Sequence, residues 1–305
     1  MSKKLKFDLT VEPAALLCPN PLEWFIKATL SNEDLAEFRQ VPDVKESTKL
    51  GVLTFTDPIQ EFACAFTATA SDLDAITITP CKLSVMTQTC QDDLESSFIA
   101  QWMRSGSNMT DFAPANFMSH YYDVLAAKVK DGLSVIAWQG DTLSTVYPYS
   151  MCDGLEKKLL ADAAVLDVTA TTLTATNILA ELAKVKAALP ASISYKKTEL
   201  RIWMGASAAS LYQQAASVLP NASISEAYPL QYQGIKIIVS PGMSADTMVA
   251  TIGMNLVYAY DLLGDVSEIN TINMKLTTGD ATIRTRTDFK FFVGFTNPEE
   301  IVYYS

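Results

Sequence analysis

The sequence predicts an α+β fold, in which a block of strands precedes a long helix and a small mixed sheet with flanking helices follows. Residues 51–91 are rich in Thr, Val, Ile and Phe and partly alternate between apolar and polar, as strands do. Residues 111–139 carry apolar side chains three and four positions apart, as one face of a helix does. From Glu199 onward, the apolar run ELRIWMG, the small-residue run SAASLYQQAASV and the apolar run QGIKIIVSPGM indicate strand, helix and strand.

The first 50 residues predict an arm with short helical pieces. Asn20 or Pro21 can start a turn of helix through LEWFIKA, and Asn32 can cap a second turn that begins with acidic residues. Pro42 ends this second piece. The arm has no compact core of its own, so we expect its apolar residues to need a partner surface: Leu22, Trp24, Phe25 and Leu30.

Residues 51–91 predict strands along VLTFT, FACAFTATA and ITITPCKLSVMTQ. The polar run 71–74 predicts a turn between two of them, which gives a long hairpin with a polar tip. A two-stranded ribbon is unstable alone in water. The hairpin is therefore expected to rest on another surface, in this chain or in a neighbouring one.

A first helix is predicted through FIAQWMR and a second, longer one from Pro114 to about residue 139. The second helix has roughly 25 residues and a length of nearly 40 Å, enough to brace a flat protein from end to end. Its predicted apolar stripe is Phe117, Tyr121, Leu125, Val129, Gly132 and Ile136.

After a Gly-, Thr- and Asp-rich transition over 140–172, a helix is predicted over 173–189, with Thr174 as its N-cap and Pro190 as its stop. The next helix starts near Ser207 and ends before Pro220. Its small residues let it lie close against a sheet formed by RIWMG, IKIIV and MVATI. The chain then continues through a charged, alternating run, TIRTRTDFKFFVGF, to EEIVYY.

The composition limits the classes of partner. The 305 residues carry a formal net charge of −11, with 49% hydrophobic and 19% charged residues. A dedicated nucleic-acid binder needs a basic surface, so the charge argues against that class but not against a container around DNA. The first residues have lysines without an apolar segment behind them, and no stretch is long enough to span a membrane, so neither a secretory signal nor membrane insertion is expected.

The sequence lacks the motifs of an active site. The five cysteines form no CxxC pair and are expected to be reduced, buried thiols. His120 is the single histidine, which rules out a three-histidine metal site, and no P-loop, GxGxxG or GxSxG motif is present. We therefore predict that the protein is not an enzyme, and we assign no catalytic, cofactor-binding or metal-binding residue and no cofactor.

The succession of ELRIWMG, SAASLYQQAASV, QGIKIIVSPGM, TMVATIGMNLVYAYDLLGD and TIRTRTDFKFFVGF resembles the C-terminal half of tailed-bacteriophage major capsid proteins of the Hong Kong 97-like fold. The preceding segments are compatible with the order of elements in that family. The resemblance implies an N-terminal arm over 1–50 and an extended hairpin, the E-loop, over 51–91. It further implies a peripheral domain over 92–148 and 261–305, with a spine helix over 111–139, and an axial domain over 149–260.

This resemblance also implies a function. The chain is expected to self-assemble as hexamers and pentamers into an icosahedral capsid that encloses a double-stranded DNA phage genome without sequence-specific binding. It would be a structural protein of the virion, assembled in the host cytoplasm with portal and scaffolding or decoration proteins. The hairpin and the arm would bury their apolar residues against neighbouring copies.

Alternatives remain at this stage. An encapsulin-like shell of a cellular nanocompartment shares the fold, and a phage tail-tube or sheath subunit would also be acidic and without an active site. Some family members join subunits covalently, through an E-loop lysine and an asparagine of a neighbour. Lys82 is the lysine on the predicted hairpin, but no acid can be assigned as the catalyst, so no site is assigned to its conceivable partners Asn270, Asn273 and Asn297.

Overall fold

A computed structural model describes residues 21–55, 59, 71–90, 115–217, 230–261, 269–274 and 278–305. Their helices are α1 (Pro21–Phe25), α2 (Ala115–Gln139), α3 (Leu155–Ala161), α4 (Ile178–Ala188), α5 (Ala191–Ser194) and α6 (Ala206–Ser217). A π-helical turn, Ile26–Leu30, continues α1. The strands are β1 (Arg39–Val41), β2 (Thr48–Phe55), β3 (Ser71–Ile78), β4 (Cys81–Cys90), β5 (Leu166–Val168), β6 (Leu200–Gly205), β7 (Gln231–Tyr232), β8 (Ile235–Ser240), β9 (Met248–Ile252), β10 (Leu256–Tyr260), β11 (Asn270–Asn273), β12 (Thr282–Phe295) and β13 (Val302–Tyr304).

The first sheet is built around the long strand β12. Its residues 283–286 pair with β11 on one edge and with β4 on the other, and β10 follows β11 along the same edge. Strand β1 adds to β10 in parallel. Alternate β12 residues are buried under α2 while the intervening Arg284, Arg286 and Asp288 are exposed, so the predicted alternating strand is confirmed.

The second sheet is mixed and has the order β5-β13-β9-β6-β8-β7. Strands β6 and β8 are parallel and are joined through α6, whose alanines at 208, 209, 215 and 216 are buried in the way the small-residue pattern predicts. Helix α4 packs into the same core through Ile178, Leu182 and Val185. The last strand, β13, lies inside this sheet between β5 and β9.

The 25 residues of α2 confirm the predicted long helix. Its most buried face differs from the predicted stripe by about one position, because Tyr122, Ala126 and Leu133 face the core. Tyr121 and Leu125 from the predicted stripe are half-buried on the adjoining face. Position 117 belongs to the stripe as well, but its side chain lies outside the described residues.

The predicted hairpin needs two corrections. Residues 71–74 are the start of the continuous strand β3 rather than a turn, and they pair with residues 52–55 of β2. Their Ser and Asp residues favour turns, but they continue the eight-pair antiparallel ladder with β2. Strand β4 pairs with β12 in the first sheet instead of extending the ribbon. The predicted strand FACAFTATA and the helix FIAQWMR fall outside the described residues.

The expectation that the arm buries its apolar residues against neighbouring copies is wrong for residues 21–41. Trp24, Phe25 and Phe38 are buried in the main core, and β13 is buried in the second sheet. The transition 140–172 also contains α3 and β5, which were not predicted. The domain boundaries stay a prediction, although β10 and β12 pair across the boundary at 260/261.

Candidate assembly surfaces

The ribbon of β2 and β3 is a two-stranded sheet separate from both larger sheets. Its antiparallel ladder runs from Thr48 opposite Ile78 to Phe55 opposite Ser71. Eight residues of strand extend about 26 Å. Among the described strands, β2 and β3 pair only with each other.

The two faces and the two ends of the ribbon differ in burial. At its base, Ile78 is 1% exposed and packs with Val44, Val257 and Ala259. Farther out and on the opposite face, Leu53 and Leu73 lie directly across from each other and are 55% and 71% exposed. Two large apolar side chains are thus exposed next to each other across the ladder. The ribbon is therefore anchored at its base and bare along its outer face.

The segment from α1 to β1 contrasts with the ribbon because it is bound to the body of the same chain. The Trp24 indole donates a hydrogen bond to the Tyr122 carbonyl of α2, at 2.8 Å. Phe25 is fully buried, with its ring centroid 6.5 Å from that of Tyr260 and 6.2 Å from that of Phe289. These contacts close the groove between α2 and the first sheet.

Asp34 fixes the same segment with a buried carboxylate. Its Oδ2 accepts hydrogen bonds from Ser134 Oγ at 2.7 Å, from Ser240 Oγ at 2.6 Å and from Trp138 Nε1 at 3.2 Å. Its Oδ1 accepts one from the Leu35 amide at 2.9 Å. The residue is 1% exposed, so these four donors replace the water that a buried carboxylate needs. Helix α2 and strand β8 are joined through this one side chain.

Glu37 adds a second polar link, to strands β6 and β8. Its carboxylate accepts a hydrogen bond from Arg201 Nε at 3.0 Å and another from Lys236 Nζ. Burial acts to raise the pKa of Glu37, but the hydrogen bonds from Lys236 and Arg201 outweigh it and hold the pKa below its ordinary value. The segment is thus tied to both sheets.

A mostly apolar groove of about 370 Å³ lies between α2 and β4. The half-buried residues of the predicted α2 stripe form one wall, and Leu83 and Val85 of β4 form the other. The loop after α2 closes one end with Tyr147 and Met151, which are 76% and 42% exposed. Part of the predicted apolar stripe, Leu125, Val129 and Gly132, therefore lines an open groove, while Ile136 also reaches the main core.

Lys82 and the three asparagines are not gathered into a site. Lys82 is exposed on β4, opposite Lys290 of β12, and is not part of the ribbon, where Lys49 of β2 lies instead. Asn270 and Asn273 bound β11, and the Asn297 carbonyl accepts a hydrogen bond from Asn255. These positions belong to different elements, and the structure assigns them no joint chemistry.

Within the described ranges, no group of three His, Cys, Asp or Glu residues is placed to hold a metal ion. His120 lies exposed near the start of α2. None of the helices in the described part of the chain is long and apolar enough to cross a membrane.

Sequence reasoning missed the features that define these surfaces. The roles of Leu53 and Leu73 depend on strand register, and that of Asp34 depends on partners about 100 or more residues away. One available signal was the Asn32-Glu-Asp run, which was interpreted only as a helix start. Asp34 does cap the short helical turn Leu35–Glu37 by accepting from the Leu35 amide.

No protein-family model matches the chain, and no curated protein matches it in sequence. Solved structures do match it. A chain of the procapsid of satellite phage P4, which includes the size-determination protein Sid, superposes with a TM-score of 0.61 and 11% identity over 93% of this chain and 96% of that one. The capsid of an empty GTA particle, computed with C5 symmetry, matches with a TM-score of 0.54 and 14% identity over 90% and 89%.

A virus-like particle from Pyrococcus furiosus also matches, with a TM-score of 0.53 and 9% identity over 93% of this chain and 96% of that chain. At these identities the likeness concerns the fold. The chain has the mixed α+β fold of phage capsid proteins along nearly its whole length, and the resemblance predicted from the sequence is confirmed at that level.

Proposed function

We propose that this protein is the major capsid protein of a tailed bacteriophage, a structural subunit that assembles as hexamers and pentamers into an icosahedral shell around a double-stranded DNA genome. The observation that carries the proposal is the full-length likeness to shell-forming chains, at 93% and 90% coverage. In this interpretation the ribbon corresponds to the E-loop of the Hong Kong 97-like fold, α2 to the spine helix and the second sheet to the axial domain.

The ribbon supports assembly with copies of the same chain. Its base is fixed on the chain's own β10, while the Leu53–Leu73 pair is exposed. Burial of a leucine side chain contributes about 2 kcal/mol of free energy. A monomer that leaves this pair in water does not obtain this stabilisation. A neighbouring subunit that covers the outer face would recover that free energy at every position of a closed lattice.

The charge of the chain supports a container rather than a nucleic-acid binder. A net charge of −11 opposes tight contact with phosphates over most of the surface. The shell would therefore enclose DNA without sequence-specific binding. Portal and scaffolding or decoration proteins, and assembly in the host cytoplasm, belong to this proposal through the family resemblance alone.

A second candidate is the shell of a cellular compartment that holds protein rather than a genome. It is favoured by the match to the virus-like particle from Pyrococcus furiosus, which covers 93% of this chain. Both candidates predict closed particles, so they differ only in contents. A tail-tube or sheath subunit predicts tubes instead.

Electron microscopy of the full chain, expressed and purified alone, tests the proposal. Closed shells with five-fold and six-fold clusters are expected, and open tubes or a small discrete oligomer would overturn it.

Nuclease-protected DNA of uniform length in particles from the native source would favour the phage capsid. Particles from that source that contain a co-purifying enzyme and no such DNA would favour the cellular compartment.

A further inference from the structure

The face of the first sheet that points away from α2 collects positive charge. Strands β4, β11 and β12 together contain one acidic residue, Asp288, and four basic residues: Lys82, Arg284, Arg286 and Lys290. All five lie at even-numbered positions that are paired across β4 and β12, so they belong to one face of the sheet. This set, called the basic face below, has a net charge of +3, whereas the whole chain carries −11.

Two of the cations are placed against each other. Lys82 of β4 lies directly opposite Lys290 of β12 in the antiparallel ladder, and like charges in directly opposite positions are destabilising. Lys290 donates a hydrogen bond to the Lys45 carbonyl, which is a neutral group. An anion bound at this position would remove the repulsion between the two ammonium groups.

The other two cations also keep their charge available. Arg284 Nε donates to the neutral amide oxygen of Gln88 at 3.0 Å. Arg286 pairs with Asp288 at 3.1 Å, but the two side chains are 63% and 55% exposed, so this ion pair is weak. Among the described residues, Arg286 is therefore the one member of the basic face that has an acidic partner within ion-pair distance.

The shape of the basic face fits a phosphate backbone. A hollow of about 340 Å³ lies on it, and its polar lining consists of three of the cations, Ser84 and the carboxyl groups of Asp261 and Asp288. From position 284 to position 290 the strand extends about 20 Å, which is the length of about six nucleotides along one strand of B-DNA. A sheet surface lies against a duplex without entering its grooves, so it meets phosphates rather than base edges.

We propose that the basic face binds the phosphate backbone of double-stranded DNA without sequence preference, and that it is the surface that the chain turns toward an enclosed genome. The inference rests on the proposed function, because that function supplies the DNA. Charge complementarity selects the occupant, since cations that displace counterions from phosphates gain free energy in doing so. The acidic remainder of the subunit keeps each contact weak, and the many copies in a shell act together.

Titration of a short, labelled duplex of random sequence with the unassembled full-length subunit tests the proposal by fluorescence anisotropy. Three phosphate contacts predict a slope of about −2.7 for the logarithm of the association constant against the logarithm of the salt concentration. No binding at about 50 mM salt, or an affinity that does not depend on salt, would overturn the proposal. Inorganic phosphate at equal ionic strength should not displace the duplex, and complete displacement would show a site for small anions instead.

A pair of double variants locates the binding. Lys82→Gln with Arg284→Gln should weaken binding roughly a hundredfold at about 50 mM salt and reduce the slope to about −0.9. The matched control is Lys128→Gln with Lys197→Gln, which removes two exposed lysines outside the first sheet and leaves the same net charge. It should bind with nearly the affinity of the unaltered chain. Equal weakening in both double variants would mean that net charge alone sets the affinity, and the assignment to the basic face would be wrong.

A footprint on the unaltered subunit needs no substitution. Lysines are acetylated with and without the duplex, and the modified positions are identified by mass spectrometry. Lys82 and Lys290 should be protected by DNA, while Lys128 and Lys197 should react equally in both samples. Protection of the second pair without protection of the first would place the DNA elsewhere and refute the proposal.

Electron microscopy distinguishes failure of this inference from failure of the proposed function. The variant Lys82→Gln, Arg284→Gln should form closed particles as the unaltered chain does. Absence of particles from the unaltered chain would refute the proposed function, whereas unchanged DNA binding by the variant would refute the basic face alone. A variant that binds DNA normally but forms no particles would assign this face to a contact between copies, contrary to the inference.

Discussion

The ribbon and the segment from α1 to β1 both carry apolar residues in sequence, but the segment is buried in the folded chain and the outer part of the ribbon is exposed. Both precede the long helix α2 in the chain, and both contain apolar residues without an obvious local partner. In the segment, Phe25 is fully buried and Asp34 is 1% exposed, whereas in the ribbon Leu53 and Leu73 are 55% and 71% exposed. The chain therefore buries the segment in its own core and leaves Leu53 and Leu73 of the ribbon exposed.

The physical basis of the difference is the number of surfaces that each region meets. The segment passes between α2 and the first sheet, so its apolar side chains are enclosed on two sides. Its Asp34 carboxylate accepts hydrogen bonds from Ser134 and Ser240. Among the described residues, the ribbon packs on the body near its base, where Ile78 and Leu50 contact the cluster around β10. Four variants should separate the two regions by their effect on the free energy of unfolding of the isolated subunit.

Phe25→Ala should have the largest effect. It removes a fully buried ring that contacts Tyr260 and Phe289, and truncation of such a residue costs about 4 kcal/mol. Urea denaturation of the unassembled subunit, followed by circular dichroism, measures the loss. A change of less than about 1 kcal/mol would show that the segment is not part of the subunit core.

Asp34→Ala should destabilise the subunit by about 3 kcal/mol, because it leaves Ser134, Ser240 and Trp138 without their common acceptor in the interior. Asp34→Asn keeps one acceptor oxygen and should cost less. The same denaturation series compares the two. If the alanine variant were as stable as the asparagine variant, the hydrogen bonds would not be what fixes the segment.

Glu37→Gln should lower the stability at pH 7 by about 1 kcal/mol, since the partly exposed carboxylate pairs with Arg201 and Lys236. The pKa of Glu37 is depressed in the folded state, so its contribution is present above the unfolded pKa of about 4.3 and is lost as the pH falls through the lower folded value. The difference between the variant and the unaltered chain should therefore shrink below about pH 4. A difference that stays constant with pH would argue against the ionised pair.

The double variant Leu53→Asp, Leu73→Asp should have the smallest effect on unfolding, within about 0.5 kcal/mol, because both side chains are exposed. It should nevertheless prevent particle formation, as judged by light scattering and electron microscopy. The matched control is Val146→Asp, which places an acid on an exposed apolar residue in the loop that follows α2 and is not part of the ribbon. Normal assembly of the double variant would contradict a role for the outer face of the ribbon.

The elements that the sequence predicts well are those that are determined by patterns of neighbouring residues. The alternation of β12 follows from charged residues such as Arg284 and Asp288 at every second position, and the length of α2 follows from helical spacing over 25 residues. The small alanine face of α6 likewise implies a close helix–sheet contact. These patterns need no knowledge of distant parts of the chain.

Burial of the segment, in contrast, depends on contacts between remote positions. Trp24 bonds to a carbonyl 98 residues away, and Asp34 bonds to Ser240 at a separation of 206. No local pattern encodes such pairings. Residues 71–74 show the opposite case: their residue types favour a turn, but they form part of a strand that pairs with β2.

Hydrogen–deuterium exchange on the unassembled subunit and on the assembled particle tests the central claim most directly. We expect peptides from residues 21–41 to be protected in both states, because that segment belongs to the subunit's own core. Peptides from β2 and from β3 should exchange rapidly in the free subunit and become protected in the particle. Rapid exchange of residues 21–41 in the free subunit, or equal protection of the ribbon in both states, would contradict the account.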